Sequence, residues 1–312
     1  MVLLLAKKKQ PAKKKRHAAK QIYTRSNSIS EAIFSLARPR ATSFPSPFQK
    51  PGRACRLLQY GIKNRCRPIT SRCIRLVEKL VVKVLENIPA TPTVHLVRFA
   101  SGAGNPFEFK PGQFAMVHVP QPGGKELPRP YSFASSPAEK RFFELCVKRV
   151  PAGPGSNYIC DAVPGQGVTV SGPYGLFGLR GAEEKIVFCA SGTGVAPFKS
   201  MLDLLFAQGT SKQVWLLFGV RNRQEIAYDK EFREMAAAHS NFHYYPILSD
   251  EDAGDWTGEK GFVPGIIERL FGRDAGGTEF YACGVPIMVE KTREKLLQMG
   301  VPKEKIFAEL YR

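Results

Sequence analysis

The chain has 312 residues, enough for two domains that each bury a core, and its apolar fraction of 43% is ordinary for a globular protein. Its net charge of +19 is confined to one end: residues 1–76 hold 19 of the 46 Lys and Arg with a single acid, Glu31, leaving 27 basic and 26 acidic residues in 77–312. That distribution removes the case for a nucleic-acid binder with a basic body, and no stretch reaches the roughly 20 apolar residues of a membrane span. In chain order, the first element is the basic leader, 1–76. It is rich in Arg, Lys, Ser and Pro and almost free of acid, the composition of a cleavable organelle transit peptide for a chloroplast or mitochondrion. The apolar start, Met1 to Ala6, is too short for a secretory segment and precedes the charges instead of following them. Two other readings stay open: a nuclear-localisation cluster at 7–9 and 13–16, and a disordered basic tail on a cytoplasmic protein.

From about residue 77 apolar runs of strand length alternate with Gly and Pro. Strands are predicted at 113–119, 142–150 and 168–170, the last ended by Gly172-Pro173. Short strands at close spacing predict an antiparallel barrel over 77–180. After Gly181 the texture changes. Continuous apolar strands at 185–190, 213–218, 242–248 and 278–283 alternate with helices reaching 207, at 229–239 and at 286–299. That alternation predicts a doubly wound parallel sheet, a nucleotide-binding α/β domain, over 181–312.

Cysteines 55, 66, 73, 146, 160, 189 and 283 form no C-x-x-C pair, so metal and dithiol motifs, iron–sulfur spacing included, are unsupported, and the odd scatter fits a reducing compartment. Two other motifs carry chemistry. Arg129-Pro130-Tyr131-Ser132 offers a guanidinium fork for a pyrophosphate, an aromatic for a flat ring, and a small hydroxyl for the reactive edge of a flavin. Some 60 residues on, Gly192-Thr193-Gly194-Val195-Ala196-Pro197 follows an apolar strand, where glycines let backbone approach a dinucleotide. Between them, Gly155 and Ser156 precede a short helical stretch at 158–161, with Ser156 as the predicted cap and free amides for an anion. Each motif alone has a plainer reading: a polar strand end, a tight turn, a capped helix.

Together the motifs resemble the ferredoxin–NADP reductase family, through Arg129 to Ser136, Cys146-Val147-Lys148-Arg149, Ser156-Asn157, Gly172 to Gly175, Gly192 to Pro197, Cys283-Gly284 and Glu309-Leu310-Tyr311. The resemblance covers most of 77–312. It implies an antiparallel FAD-binding β-barrel followed by the NAD(P)-binding α/β domain, and hydride transfer from a reduced nicotinamide to FAD. It implies that Arg129, Pro130, Tyr131 and Ser132 hold the flavin, that Cys146, Val147 and Lys148 flank the ribityl and pyrophosphate, and that Gly155 and Ser156 form the pyrophosphate turn. Gly192, Thr193, Gly194 and Pro197 belong to the nicotinamide-side turn, with Gly284 after the strand. Ser132, Cys283 and Glu309 are the implied catalytic residues, and Tyr311 the aromatic cover.

Three departures stand out. Where NADPH users of the family carry Ser-Arg, this chain reads Leu248-Ser249-Asp250, and a carboxylate repels a 2′-phosphate; NADH is the expected coenzyme, with Arg221 and Arg223 as the counter-argument for NADPH. Arg312 follows Tyr311, so the aromatic is not terminal. No clear aromatic follows Arg149 to stack an adenine, since Pro151-Ala152 stands where the family has a longer segment. The electron acceptor stays open between a ferredoxin, another redox protein and a small oxidant; Lys110, Lys125, Lys140 and Arg141 are a candidate patch for an acidic ferredoxin. A non-catalytic flavin- and dinucleotide-binding regulator on the same fold is the alternative.

Overall fold

The structure, a computed structural model, describes residues 78–250, 254–272 and 275–311; the predicted leader 1–76 and Arg312 lie outside them. The first half contains β1 (Leu80–Pro89), β2 (Val94–Ala100), β3 (Phe114–Pro120), β4 (Glu126–Ser132), β5 (Phe143–Lys148), α1 (Pro154–Cys160) and β6 (Gly167–Tyr174). The strands pair antiparallel in the order β4-β3-β6-β1-β2-β5. A bridge between Phe133, just past β4, and Leu145 of β5 joins the two outer strands and closes the sheet into a barrel. The interior is aromatic: Phe109 stacks on Phe133 at 4.1 Å, and Phe143 meets the edge of Phe133 at 5.6 Å. Each such buried ring contributes on the order of 1.5–3 kcal/mol.

The second half contains β7 (Lys185–Ser191), α2 (Ala196–Ala207), β8 (Gln213–Val220), α3 (Asp229–Ala238), β9 (Phe242–Leu248), β10 (Glu259–Lys260), α4 (Val263–Phe271), β11 (Thr278–Gly284), α5 (Pro286–Gln298) and β12 (Ile306–Leu310). All its strands are parallel, in the order β10-β9-β8-β7-β11-β12. The apolar strands are continuous because both faces are covered. In β7, Ile186, Phe188 and Ala190 pack with α2 and α3, while Val187 and Cys189 pack with α4 and α5. The barrel residues Val94, Leu96, Ala134 and Cys146 join the α2/α3 core, so the two halves share buried apolar surface.

The structure departs from the sequence reading in particular places. Pro128 and Pro130 disguise β4, which tolerates them because it is the outer strand of the order and pairs within the sheet only to β3. β6 continues through Gly172-Pro173 to Tyr174, which pairs with Phe114 beyond a bulge that puts one extra residue into β6. Helix α4 was not foreseen: Pro264 and Gly265 look like a loop, yet proline suits a first helical turn, and Val263, Ile266, Ile267 and Phe271 share the buried face. Helix α1 starts at Pro154, ahead of the predicted 158. Ser156 therefore sits inside the first turn and is not the cap; its hydroxyl donates to the Gly153 carbonyl (3.2 Å) and accepts from the Val150 amide (3.0 Å).

Candidate functional site

Chain order in the parallel sheet reverses at β7: β8, β9 and β10 build outward on one side, and β11 and β12 return on the other. In such sheets ligands bind beyond the carboxyl ends of the strands flanking the reversal. Those ends are Ser191 and Gly284, and the glycine turn 192–194 runs between them. Gly192 has a φ of 53°, and a Cβ at Gly194 would overlap the Cys283 carbonyl. Ser191 Oγ accepts the Val285 amide at 3.1 Å and leaves no room for a side chain at Gly284, whose φ is 136°.

Facing this crevice is a cavity of about 570 Å³. Its walls include Arg129, Pro130, Tyr131 and Ser132 from β4, Phe114 from β3, Cys146 and Lys148 from β5, Gly155 and Ser156 from α1, Thr193 from the glycine turn, and Glu309 and Tyr311 at the chain's last strand. Eleven of the sequence-derived site residues thus meet in one place. The close quarters are explicit at Gly155, where a Cβ would lie 2.7 Å from Arg129 Cγ and 3.3 Å from the Tyr131 hydroxyl. Burial pushes the Tyr131 phenol up to about 12, so it remains a donor. Arg129 is exposed at the rim, with one guanidinium nitrogen donating to the Pro128 carbonyl at 3.0 Å.

At the inner end, Tyr311 donates to Ser132 Oγ at 2.7 Å, and its amide donates to the Gly284 carbonyl at 3.0 Å. Cys283 is fully buried and does not line the cavity. Burial, reinforced by Glu309, lifts its thiol well above the ordinary range, so it is a neutral thiol without nucleophilic character. Glu309 is pushed up to about 7 by burial, with a bond from Ser132 opposing; its Oε2 is buried with no partner. A buried acceptor left unpaired beside a cavity invites a donor from whatever fills that cavity.

Other sequence-derived residues lie elsewhere. Val147 points into the barrel core, so only its backbone is available at the cavity. Pro197 is buried in the first turn of α2. Gly192, Gly194 and Gly284 shape the crevice without lining the cavity. Asp250 follows β9 and donates its amide to the Arg221 carbonyl at 2.9 Å, so the two rival signals for coenzyme choice are neighbours. Lys110, Lys125 and Lys140 are exposed, while Arg141 is engaged with Glu139 at 2.7 Å. Phe114, Val150 and Leu310 also line the cavity and were missed; only the register Phe114↔Ser132 brings Phe114 there, and pairing register is not legible in one strand. Among the described residues no cluster of His, Cys, Asp or Glu is placed to hold a metal, and no helix is long and apolar enough to cross a membrane.

Comparisons with known proteins agree with this geometry. Residues 82–178 match the oxidoreductase FAD-binding domain and 188–294 the oxidoreductase NAD-binding domain. The chain is 34% identical to ferredoxin–NADP reductase B of Sorangium cellulosum over 72% of its own length and 93% of that protein's. It is 30% identical to the phenol hydroxylase P5 protein of Acinetobacter pittii over 76% of its own length, but spans 66% of that protein. Among solved structures it is similar to the Amycolatopsis cytochrome P450 reductase GcoB, with a TM-score of 0.68, 27% identity, and coverage of 75% of this chain and 70% of that one.

Proposed function

The chain belongs to the ferredoxin–NADP reductase family of NAD(P)H-dependent FAD oxidoreductases, and from that premise we propose that it transfers a hydride from NADH to FAD and passes the electrons to a redox protein. The observation that carries this reading is the single cavity where the barrel edge Arg129–Ser132, the first turn of α1, Thr193 of the glycine turn and Glu309 converge. FAD fits these walls: Gly155 leaves backbone space beside Arg129, and the orphaned Glu309 Oε2 faces a partner that the protein does not supply.

When bound, FAD supplies the two-electron acceptor for the nicotinamide hydride. The protein's part is positioning and electrostatics. Arg129 and the first-turn amides of α1 would hold the pyrophosphate, Tyr131 and Pro130 would support the ring system, and Ser132 Oγ would offer a hydrogen bond to its reacting edge. Tyr311 covers the inner cavity; its bond to Ser132 contributes about 0.5–1.5 kcal/mol, little enough for an arriving nicotinamide to displace it. Glu309, pushed up to about 7 by burial, is poised to take up and release a proton near neutral pH beside Ser132. Cys283 shapes the crevice from behind Tyr311.

The acceptor class is inferred from relatives named ferredoxin–NADP reductase B and phenol hydroxylase P5 protein. We further propose that residues 1–76 direct import into an organelle, on their composition alone; a reporter fused to them and viewed in cells tests this. The decisive experiment for the enzyme is anaerobic mixing of the FAD-loaded protein with NADH. Rapid bleaching of the flavin is expected. A flavin that stays oxidised overturns the reading and leaves a binding protein in its place.

A further inference from the structure

Strand β5 presents three alternate side chains to the α/β half. Glu144 accepts the Tyr228 hydroxyl at 2.9 Å, Cys146 enters the core built around α2 and α3, and Lys148 pairs with Glu225 at 3.7 Å. The intervening Leu145 and Val147 face the barrel core. One face of one strand therefore meets the segment between β8 and α3. The Glu225 end of this contact is open to solvent. The Glu144 end is buried, with Tyr228 only 6% exposed, and it lies two residues from Cys146, which walls the flavin cavity.

Both partners of the buried contact are held. Glu144 receives Arg98 Nε at 2.8 Å, Arg98 also reaches Glu86 at 2.8 Å, and the Glu144 amide donates to Ser135 Oγ at 3.0 Å. Tyr228 precedes α3 with a φ of 60°. Among the described residues only Ala152, in an exposed turn, shares positive φ without being glycine. A bulky residue in the left-handed region persists where its surroundings over-determine it. Here the surroundings are the Phe232 ring, whose centroid is 5.9 Å away, the Lys199 ammonium 5.6 Å above the tyrosine ring, and Glu144. A glycine or asparagine would satisfy the backbone more easily, but neither reaches the barrel.

We propose that Tyr228 is a positioning residue for hydride transfer, its hydroxyl setting the separation between the flavin cavity wall on β5 and the nucleotide-side crevice. This rests on the reading of the site as a hydride-transfer cleft. Removing the hydroxyl leaves Glu144 Oε1 buried without its donor from the other half. The contact loosens directly behind Cys146, so the slack falls between the two rings that must approach and not within either binding site.

The test uses the full-length FAD-loaded protein. Tyr228→Phe keeps the ring and drops the hydroxyl; Glu144→Gln keeps the size and weakens the acceptor. Misplacement at this scale slows NADH-driven flavin reduction at saturating coenzyme by about ten- to a hundredfold. Flavin reduction by dithionite, which needs no nicotinamide geometry, and FAD retention stay at parental values. The double variant is no slower than the slower single, because both substitutions act on the same Tyr228–Glu144 bond. NADH-driven reduction at the parental rate in both single variants overturns the proposal. So does a fall in dithionite reduction or FAD retention that matches the fall with NADH, which marks a purely structural role. A parent protein that NADH does not reduce at all overturns instead the reading of the site, before any variant is compared.

Discussion

The Tyr311 hydroxyl and Ser132 Oγ, 179 residues apart in sequence, are joined by a 2.7 Å hydrogen bond. Ser132 ends an antiparallel barrel strand and Tyr311 follows a parallel one, so this bond ties the two architectures together at the inner end of the cavity. β12 pairs with β11 in register Cys283↔Glu309, which places the carboxylate beside the buried thiol and leaves Tyr311 to reach across to the barrel. The inner end of the cavity is therefore assembled by the two sheets together.

Removing that hydroxyl separates chemistry from binding. Ser132→Ala is expected to slow NADH-driven flavin reduction about a hundredfold while FAD stays bound, because a small loss of alignment at a hydride-transfer centre has that effect. Cys283→Ala is expected to slow it less, since the thiol acts through Tyr311 and does not line the cavity. Stopped-flow reduction of both variants measures this; equal rates in parent and Ser132→Ala would remove the serine from the mechanism.

Flavin retention depends on the approach of α1 to β4. Arg129→Ala is expected to raise the FAD dissociation constant by ten- to a hundredfold, since a charge-assisted hydrogen bond is worth roughly 1.5–3 kcal/mol. Gly155→Ala is expected to do the same without deleting any charge, because the new methyl meets Arg129 Cγ at 2.7 Å and pushes the guanidinium off the site. Equilibrium titration of apoprotein with FAD, with the bound flavin identified by chromatography, checks both variants. Release of FMN in place of FAD would contradict the pyrophosphate role.

Much of this was legible in the sequence because it rests on local chemistry. Arg129 and Gly194 stand in motifs whose residue types suit a pyrophosphate and a close backbone approach, while Gly155 and Glu309 were reached through the family resemblance. The change from alternating to continuous apolar strands near Gly181 announced the two sheets. What was not legible depends on partners distant in sequence. Pro128 and Pro130 argue against a strand until β4 is known to be the outer one. Ser156 reads as a cap until Pro154 is seen to start the helix. The Glu144–Tyr228 bond spans 84 residues and joins two unremarkable positions, and no periodicity points to it.

Glu309 gives the apoprotein a pH signature. Burial raises its carboxyl from 4.5 to about 7, so the folded state holds this proton more tightly than the unfolded chain. Its contribution is fully present below pH 4.5 and is lost as pH rises through about 7. The shift corresponds to at most about 3 kcal/mol, and partial exposure brings that to about 1–2. Glu309→Gln is expected to lose less stability than the parent between pH 5 and pH 8, which denaturant melts of the two apoproteins measure. Parallel pH curves would mean that the carboxyl titrates normally.

We place coenzyme choice at Asp250, just after β9, and Arg221, just after β8: the Asp250 amide donates to the Arg221 carbonyl, which makes the two residues neighbours through their backbones. A carboxylate accepts from a ribose hydroxyl and repels a 2′-phosphate, whereas Arg221 favours the phosphate. NADH is expected to have the higher kcat/KM, since its adenosine ribose carries a hydroxyl where NADPH would bring a phosphate charge toward the Asp250 carboxylate. Asp250→Arg exchanges a repulsion for an attraction, worth a few kcal/mol near a surface and less after salt screening. The expected result is a shift of about ten- to a hundredfold toward NADPH in the ratio of the two kcat/KM values. Arg221→Ala is expected to move the ratio the opposite way, and raising the salt concentration to shrink both shifts. Steady-state assays with both coenzymes at two ionic strengths measure all of this. A parent enzyme that strongly prefers NADPH would assign the phosphate to Arg221 or Arg223 and leave Asp250 without a part in the choice.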